Sequence, residues 1–587
     1  TTSLPTKTTW EHSFKWKPVE FNTIDFLITL KKNTDGQDFV GNIYHSGTDV
    51  NTNSQISQYK TAILRVGFDE SKHGYINPCQ NLIDGNFPSA RDKDSNDSYK
   101  PMQFFPTNPT DMNAGICNIM LGSGPTNNKI MTTIEGEIIE DNMIVEFRYV
   151  RDREEFWRWV PLRVRYDKTA DFRSHGRNFG NAYHVANSNW NTIHKPITVA
   201  MIRTGETIPD EVTDEEVYYN VKTGDSQTQG LREFHNMYVK KHLITSVSVR
   251  GNTLIDLAVG KGGDLPKWRS ANLKFVFGID LSPDNIQNRL DGACARYINN
   301  RKKIPNVHGA LFVTGNSSFN IRNTTGIFTA KGKQITNAMF GKGAKDKKEL
   351  GAVVYENYGI AKDGFDICSI QFAIHYMFET KETFHNLLRN VSETTKVGGY
   401  FIGTSYDGLE IFNMLADKKL GEEESLHSKN KKIWSVTKEY TSESFVADES
   451  SLGFAINVYQ ESINKYAREY LVNYEYLTRM MENYGFVPIT DLEAKQLNFP
   501  SAIGSFQSLY SKLELESEKF PRMKKTFHKT LHMSPGEKKI SFLNKYFVYK
   551  KVRNVDAETI ARSFLGEVAA VKESQDEDMI DEEVAPA

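Results

Sequence analysis

The sequence predicts an α/β chain: a mostly parallel sheet with crossover helices, preceded by a β-rich domain. Three observations carry this. First, from about Trp10 to Lys168 short runs of β-branched and aromatic residues are bounded by Asn, Asp and Gly. They are Phe26-Leu-Ile-Thr-Leu30, Thr61-Ala-Ile-Leu-Arg-Val66 and Met143-Ile-Val-Glu-Phe-Arg-Tyr149. Second, from about Leu231 a helical period over Leu231–Leu243 is followed by an apolar strand over Thr253–Val259 and further alternation, the pattern of a parallel sheet. Third, residues 169–230 are polar, Asn-rich and weakly periodic, which predicts a linker with an embedded helix or two.

Strands joined by long polar loops suit a small barrel of the oligonucleotide-binding type, or a sandwich. Composition is that of an ordinary globular protein: 39% hydrophobic, 25% charged, mean hydropathy −0.51. That excludes collagen-like and coiled-coil classes. No apolar run approaches the roughly 18–20 residues of a membrane-spanning helix, and none near Thr1 reads as a secretory signal. The four cysteines, Cys79, Cys117, Cys294 and Cys368, are far apart, with no zinc spacing and no disulfide framework; a reducing compartment is expected. Lys plus Arg is 72 against 74 acids, so a uniformly basic nucleic-acid coat is excluded, though a local basic groove is not. The acidic run Glu573 to Glu583 predicts a disordered tail.

The densest chemistry is in Leu254-Ile-Asp-Leu-Ala-Val-Gly-Lys-Gly-Gly-Asp-Leu-Pro-Lys-Trp268. A buried strand runs into a glycine turn and then a helix, so backbone can approach a ligand closely. The next strand, Phe275-Val-Phe-Gly-Ile-Asp280, ends in a carboxylate suited to both hydroxyls of a ribose. The spacing Gly-x-Gly-Gly-Asp specifies no pyrophosphate cradle. Asp264 near the helix start suits an ammonium group instead. A ribose, a cationic amino-acid end and no phosphate describe S-adenosylmethionine.

This stretch resembles the cofactor site of mRNA cap guanine-N7 methyltransferases, which carry Asp-Leu-x-x-Gly-Lys-Gly-Gly-Asp-Leu-x-Lys-Trp. Three further segments match that family in order. Phe234-His-Asn-Met-Tyr-Val-Lys-Lys-His-Leu-Ile244 resembles a helix whose Asn and Lys close over the cofactor. Phe365-Asp-Ile-Cys-Ser-Ile-Gln-Phe-Ala-Ile-His-Tyr376 and Gly398-Gly-Tyr-Phe-Ile-Gly-Thr404 are the others. The resemblance implies a Rossmann-like class I S-adenosylmethionine-dependent methyltransferase domain over residues 229–551. It assigns the cofactor to Asn236, Lys240, Asp256, Gly260, Lys261, Gly262, Asp264, Asp280, Asn316, Ser369 and Gln371. It assigns the cap guanine to Phe372, His375, Tyr376, Glu469 and Tyr546. Asn316, in Thr314-Gly-Asn-Ser-Ser318, departs from the family's Asp. The residues alone leave plainer readings: core aromatics for Phe372, Tyr376 and Tyr546, a satisfied histidine for His375, a solvated helix charge for Glu469. The lysines of residues 331–348 read as a solvated loop or as a weak RNA contact.

Guanine N7 has a free lone pair, so methyl transfer to it needs no general base. Proximity, orientation and electrostatic fit suffice, and neither a catalytic residue nor a metal is expected. Flat side chains should stack on the base, and a carboxylate should accept from its N–H edge.

Upstream, Phe14-Lys-Trp-Lys-Pro18 and Trp159-Val-Pro-Leu-Arg-Val-Arg-Tyr-Asp-Lys-Thr169 resemble guanylyltransferase motifs, the second carried on that family's oligonucleotide-binding domain. The resemblance places Lys15, Lys17, Arg163, Arg165 and Lys168 at GTP phosphates. The nucleotidyl motif Lys-x-Asp-Gly is absent: Asn33-Thr-Asp-Gly36 lacks the lysine and Lys362-Asp-Gly364 lacks the spacer. Guanylyl transfer, with its Mg2+ or Mn2+, is therefore not expected of this chain. The order resembles the capping enzymes of large cytoplasmic DNA viruses. It implies an excised C-terminal portion, consistent with a start at Thr1, acting in the cytoplasm or virion on 5′-capped mRNA. The partners implied are a guanylyltransferase/triphosphatase region on the same polypeptide or another subunit, and an RNA polymerase. The expected layout is a barrel over 1–170, a linker over 171–228, the methyltransferase over 229–551 and a tail over 552–587. The alternative function is a non-catalytic RNA-binding or stimulatory module.

Overall fold

The computed structural model describes residues 17–18, 21–45, 56–87, 99–204 and 228–566, apart from 108, 110, 112, 125–127, 197, 305–306, 429–430 and 462–464. The chain forms two compact units. One joins Thr1–Ile76 to Arg91–Val212, and the other joins Asn77–Ala90 to Thr213–Ala587.

The first unit is a single antiparallel sheet of β1 (Thr23–Leu30), β2 (Val40–Tyr44), β3 (Ile56–Asp69), β4 (Tyr99–Gln103), β5 (Ile116–Ser123), β6 (Lys129–Thr132), β7 (Ile138–Ile139), β8 (Ile144–Tyr149) and β9 (Trp159–Val164). The three runs expected as strands are β1, β3 and β8, and β1 lies between the other two. The path runs β7-β6-β5-β3-β1-β8-β9, with β2 and β4 also paired to β3. Its two ends meet: Ile134 N–H, between β6 and β7, donates to Pro161 O of β9 at 3.0 Å. The sheet thus curls on itself as a barrel does. Phe26, Phe104, Phe147 and Trp159 fill its core.

The segment expected as a linker supplies part of that core. Helix Tyr183–His194 buries Tyr183, Ala186, Trp190 and Ile193, and Trp190 Nε1 donates to Pro109 O at 2.9 Å. The stripe keeps helical spacing, but the intervening Asn187, Ser188, Asn189 and Asn191 make the segment look polar overall.

The second unit contains β10 (Thr253–Asp256), β11 (Phe275–Asp280), β12 (Gly309–Thr314), β13 (Phe365–Gln371) and β14 (Thr395–Tyr406). It continues with β15 (Glu423–Ser428), β16 (Lys431–Lys438), β17 (Ala455–Gln460), β18 (Lys465–Tyr470), β19 (Phe486–Pro488), β20 (Ile503–Ser505) and β21 (Asn544–Lys551). The main sheet runs β12-β11-β10-β13-β14-β21-β19, with β20 also on β21. The first five strands are parallel, and β21 is antiparallel to β14, β19 and β20. Strand order reverses between β10 and β13, the point where such sheets open a crevice at their carboxyl ends. A second, antiparallel sheet, β15-β16-β17-β18, carries Glu469.

Two further boundaries differ from expectation. The strand expected through Val259 ends at Asp256, because Leu257 already belongs to the glycine turn. The expected tail begins with a helix: Ala557–Leu565 buries Ala557 and Ala561, and its Phe564 ring stacks on His385 at 4.7 Å. The acidic run Glu573 to Glu583 lies outside the described residues. Helix Pro78–Asp84 belongs to this unit, with Leu82 and Ile83 in its core.

Candidate active site

The carboxyl ends of β10, β11 and β13 hold most of the predicted site. Gly260 and Gly262 have φ of 54° and 68°, the left-handed backbone that glycine adopts freely. Gly260 N–H donates to Asp280 Oδ2 at 2.7 Å, which ties the turn to the tip of β11. Asp280 Oδ1 accepts from Ser282 N–H (3.0 Å) and Asn285 Nδ2 (2.8 Å). The carboxylate is fixed in place, and each oxygen retains acceptor capacity for a hydroxyl. Burial pushes its carboxyl up, against these three donors.

Beside the turn two acids meet two lysines. Asp264 Oδ1 lies 2.8 Å from Lys267 Nζ, and Asp264 Oδ2 lies 3.7 Å from Lys240 Nζ. Burial would raise the Asp264 carboxyl, but Lys240 and Lys267 outweigh it and hold it below its ordinary value. At Asp256 the pull of Lys240 is too weak to offset the opposing causes. Burial first, and then neighbouring Asp264, push it up to about 8. Among the described residues these four side chains form a nearly dry cluster of both signs. A zwitterion fits it: the acids accept an ammonium, and Lys240 meets a carboxylate. Gly263 faces open space. The cluster therefore suits S-adenosylmethionine.

Lys240 directly follows an unusual helical turn. Between Gln229–Glu233 and Lys240–Val247, residues Phe234–Val239 form a π-helical turn, a feature common at functional sites. Lys240 Nζ lies 5.4 Å from the Phe372 ring centroid, and His235 stacks on that ring at 5.3 Å and 15°. Phe372 follows β13 directly, and its φ is +56°.

Beyond Phe372, His375 sits in the 3-10 helix Ile374–Phe378, and Glu469 projects inward from β18. Their side chains are 6% and 7% exposed, with His375 Nδ1 3.7 Å from Glu469 Oε2. Neither ring nitrogen of His375 has a hydrogen-bond partner. Burial lowers His375 to about 3 and raises Glu469 to about 8. Both groups are neutral near pH 7, and the imidazole is left without a hydrogen bond in a buried position. Tyr376 borders His375, ring to ring at 4.2 Å. Glu469 is thus a buried strand residue, not the solvated helix charge of the plainer reading.

Other expected residues are placed differently. Lys261 Nζ turns to Asp284 (2.9 Å) and Asp291 (3.0 Å), and so braces the turn rather than joining the cluster. Asn316 Oδ1 accepts from Ser318 N–H (2.9 Å) and Oγ (2.6 Å), local turn bonds that occupy the oxygen expected to meet the cofactor. Asn236 is exposed and bonds Arg232 O of its own helix. Tyr546 is fully buried; its hydroxyl donates to Ser501 O (3.0 Å) and its ring stacks on Phe499. A base cannot lie on it unless that packing opens. Ser369 and Gln371 are buried at the tip of β13, with Gln371 Nε2 donating to Ser369 Oγ at 3.2 Å.

In the first unit Arg165 and Lys168 both hold Asp25 Oδ2 at 2.6 Å, and Arg163 holds Glu146 at 2.6 Å. Arg163 lies on β9, whereas Arg165 caps the helix Tyr166–His175 that carries Lys168, and each cation is neutralised by a carboxylate. Lys17 is exposed, and Lys15 lies outside the described residues.

Sequence reasoning missed Lys267, His235 and Thr404. Lys267 alone carried a signal, three residues after Asp264 on the same helix turn.

Fold and site together define a class I methyltransferase domain built around a nucleoside crevice. The chain belongs to the mRNA (guanine-N(7))-methyltransferase domain family, whose pattern matches residues 214–552, more than half of the 587. It is similar to the probable mRNA-capping enzyme of Acanthamoeba polyphaga mimivirus, 27% identical over 582 residues, covering 92% of this chain and 44% of that protein. The Saccharomyces cerevisiae mRNA cap guanine-N(7) methyltransferase is 29% identical over 266 residues, 45% of this chain and 52% of its own length. The Arabidopsis thaliana mRNA cap guanine-N(7) methyltransferase 1 is 31% identical over 202 residues, 34% of this chain and 44% of its own. The chain spans about half the length of the curated relatives it matches. A non-catalytic role is not favoured, because the matched domain family and the similar cap guanine-N(7) methyltransferases are named for a transferase activity.

Proposed function

We propose that this chain methylates guanine N7 of the 5′ cap of mRNA. The carrying observation is the pair His375 and Glu469, two buried polar side chains 3.7 Å apart, of which the imidazole has no hydrogen-bond partner on either ring nitrogen. A guanine edge supplies them. Its ring N–H and exocyclic amine donate to Glu469, and its carbonyl oxygen accepts from the neutral imidazole. Glu469 gives up its proton as those donors arrive, because an accepted hydrogen bond favours the carboxylate. Phe372 and Tyr376 offer flat faces beside the pair.

Lys240, Asp256, Asp264 and Asp280 would hold S-adenosylmethionine, which would supply an electrophilic methyl group there. The protein's part is to orient and to dehydrate. Lys240 touches both halves of the crevice, since it contacts Asp264 and the Phe372 ring. No residue has to remove a proton from the base, because N7 carries none.

The curled antiparallel sheet of the first unit, with the motif resemblance around Arg163, Arg165 and Lys168, supports a guanylyltransferase-derived domain, whose covalent lysine would come from a region upstream or another subunit. The setting that goes with this reading is the cytoplasmic or virion setting of a viral capping apparatus, with a polymerase as a further partner.

The test is methyl transfer from labelled S-adenosylmethionine to RNA with a guanosine cap and to the same RNA with a 5′-triphosphate. Labelled 7-methylguanosine from the capped RNA alone is expected. Equal labelling of both, or none, refutes the proposal.

A further inference from the structure

We propose that Thr404 is a positioning residue for the methyl-accepting base, acting through Phe372. The inference rests on the cap reading above. Phe372 is a bulky residue held in the left-handed region at φ +56°, a conformation that persists only when its surroundings impose it. Thr404 on β14 imposes it. It is the cross-strand neighbour of Gln371, and it is completely buried. Its carbonyl accepts the Phe372 N–H at 3.0 Å, and its Oγ1 accepts the same N–H at 3.1 Å. The Thr404 hydroxyl proton goes to Gln371 Oε1 at 3.2 Å, and Gln371 Nε2 goes on to Ser369 Oγ. No water can stand in for the hydroxyl at so closed a position.

The backbone turn decides where the ring goes. Phe372 stacks on His235, meets the edge of Phe506 at 6.0 Å and 78°, and faces Lys240. His235 and Lys240 are five residues apart, one π-helical turn, so both reach the same ring from one helix. His375 follows three residues beyond Phe372. Thr404 therefore sets both the stacking ring and the entry of the segment that carries His375, with its hydroxyl adding to the hold of its carbonyl on the Phe372 N–H and tying Gln371 to it. The cofactor cluster depends on it less, because Lys240 keeps its own contact with Asp264.

The experiment uses the full chain and compares Thr404→Val, nearly isosteric without the hydroxyl, with Thr404→Ser, which restores it. Calorimetry reads the affinity for the cap analogue GpppG and, separately, for S-adenosylhomocysteine. Thr404→Val should weaken GpppG about tenfold and shift S-adenosylhomocysteine less than about threefold, with a matching rise in the KM for capped RNA. Thr404→Ser should bind GpppG within about threefold of the wild type. Should Thr404→Val fail to fold, Thr404→Ser against Thr404→Ala isolates the hydroxyl at equal loss of the methyl, and Ser must bind GpppG more tightly than Ala. Unchanged GpppG binding in Thr404→Val, parallel loss of both ligands, or equal behaviour of Ser and Ala overturns the inference alone. A wild-type chain that binds no GpppG overturns the cap reading and this inference with it.

Discussion

Glu469, pushed up to about 8, holds a proton at pH 7, whereas His375, lowered to about 3, stays a neutral imidazole. A ligand that needs the Glu469 carboxylate binds better as pH rises, and it releases a proton on binding below about pH 8. GpppG affinity should therefore climb between pH 6 and 8, with a buffer-dependent calorimetric heat that reports about one proton released. Glu469→Gln should abolish that dependence and weaken GpppG at least about tenfold while sparing S-adenosylhomocysteine. The same shift acts on stability in the opposite sense. The folded value lies above the ordinary 4.5, so this group's contribution declines as pH rises from about 4.5 to about 8. In urea, Glu469→Gln should gain on the wild type by about 2 kcal/mol or more between pH 5 and pH 8. Asp280→Ala removes an acceptor fixed by three N–H donors and should abolish S-adenosylhomocysteine binding. Normal affinity by calorimetry would reject the ribose assignment.

Among the elements, the glycine turn and the π-helical turn place the cofactor side of the crevice. At Gly262 a Cβ would lie 3.4 Å from Leu265 Cδ1 and 3.5 Å from Ala293 Cα, at φ +68°. Gly262→Ala should lower stability by about 1 kcal/mol or more and weaken S-adenosylhomocysteine binding, read by thermal melts with and without ligand. A melt and affinity equal to the wild type would mean that the turn relaxes freely. At this scale much was legible in the sequence. The carboxylates closing β10 and β11 stand beside motifs whose spacing only a strand-turn-helix satisfies. The sheet β15–β18 was not legible, because Glu423–Lys438 is dense in charge and Glu469 sits among polar residues. Its burial arises from pairing with Ile456 across β17, which no local pattern encodes. Thr404 was invisible for the same reason: its partners are 32 and 33 residues away. Tyr546 and Lys261 were identified by their motifs, yet packing on Ser501 and bonds to Asp284 and Asp291 turn their polar groups elsewhere.

On the scale of the whole chain, helix Pro78–Asp84 belongs to the second unit although residues on both sides of its segment belong to the first. Leu82 is 1% exposed, and Ile83 Cγ2 lies within 2.5 Å of where a Cβ on Gly351 would stand. Leu82→Ala should cost the second unit about 2–5 kcal/mol by leaving a cavity. A piece spanning residues 228–566 alone, though it contains every methyltransferase motif, should unfold at markedly lower urea than the full chain. Equal midpoints would show that the helix adds nothing. The order of synthesis gives this interleaving a further meaning. Leu82 leaves the ribosome some 270 residues before Gly351, and at about 5–20 residues per second the helix waits many seconds for its seat. Throughout that interval a sticky apolar stub hangs from the nascent polypeptide, a natural target for chaperones and for misassembly between neighbouring chains on one message.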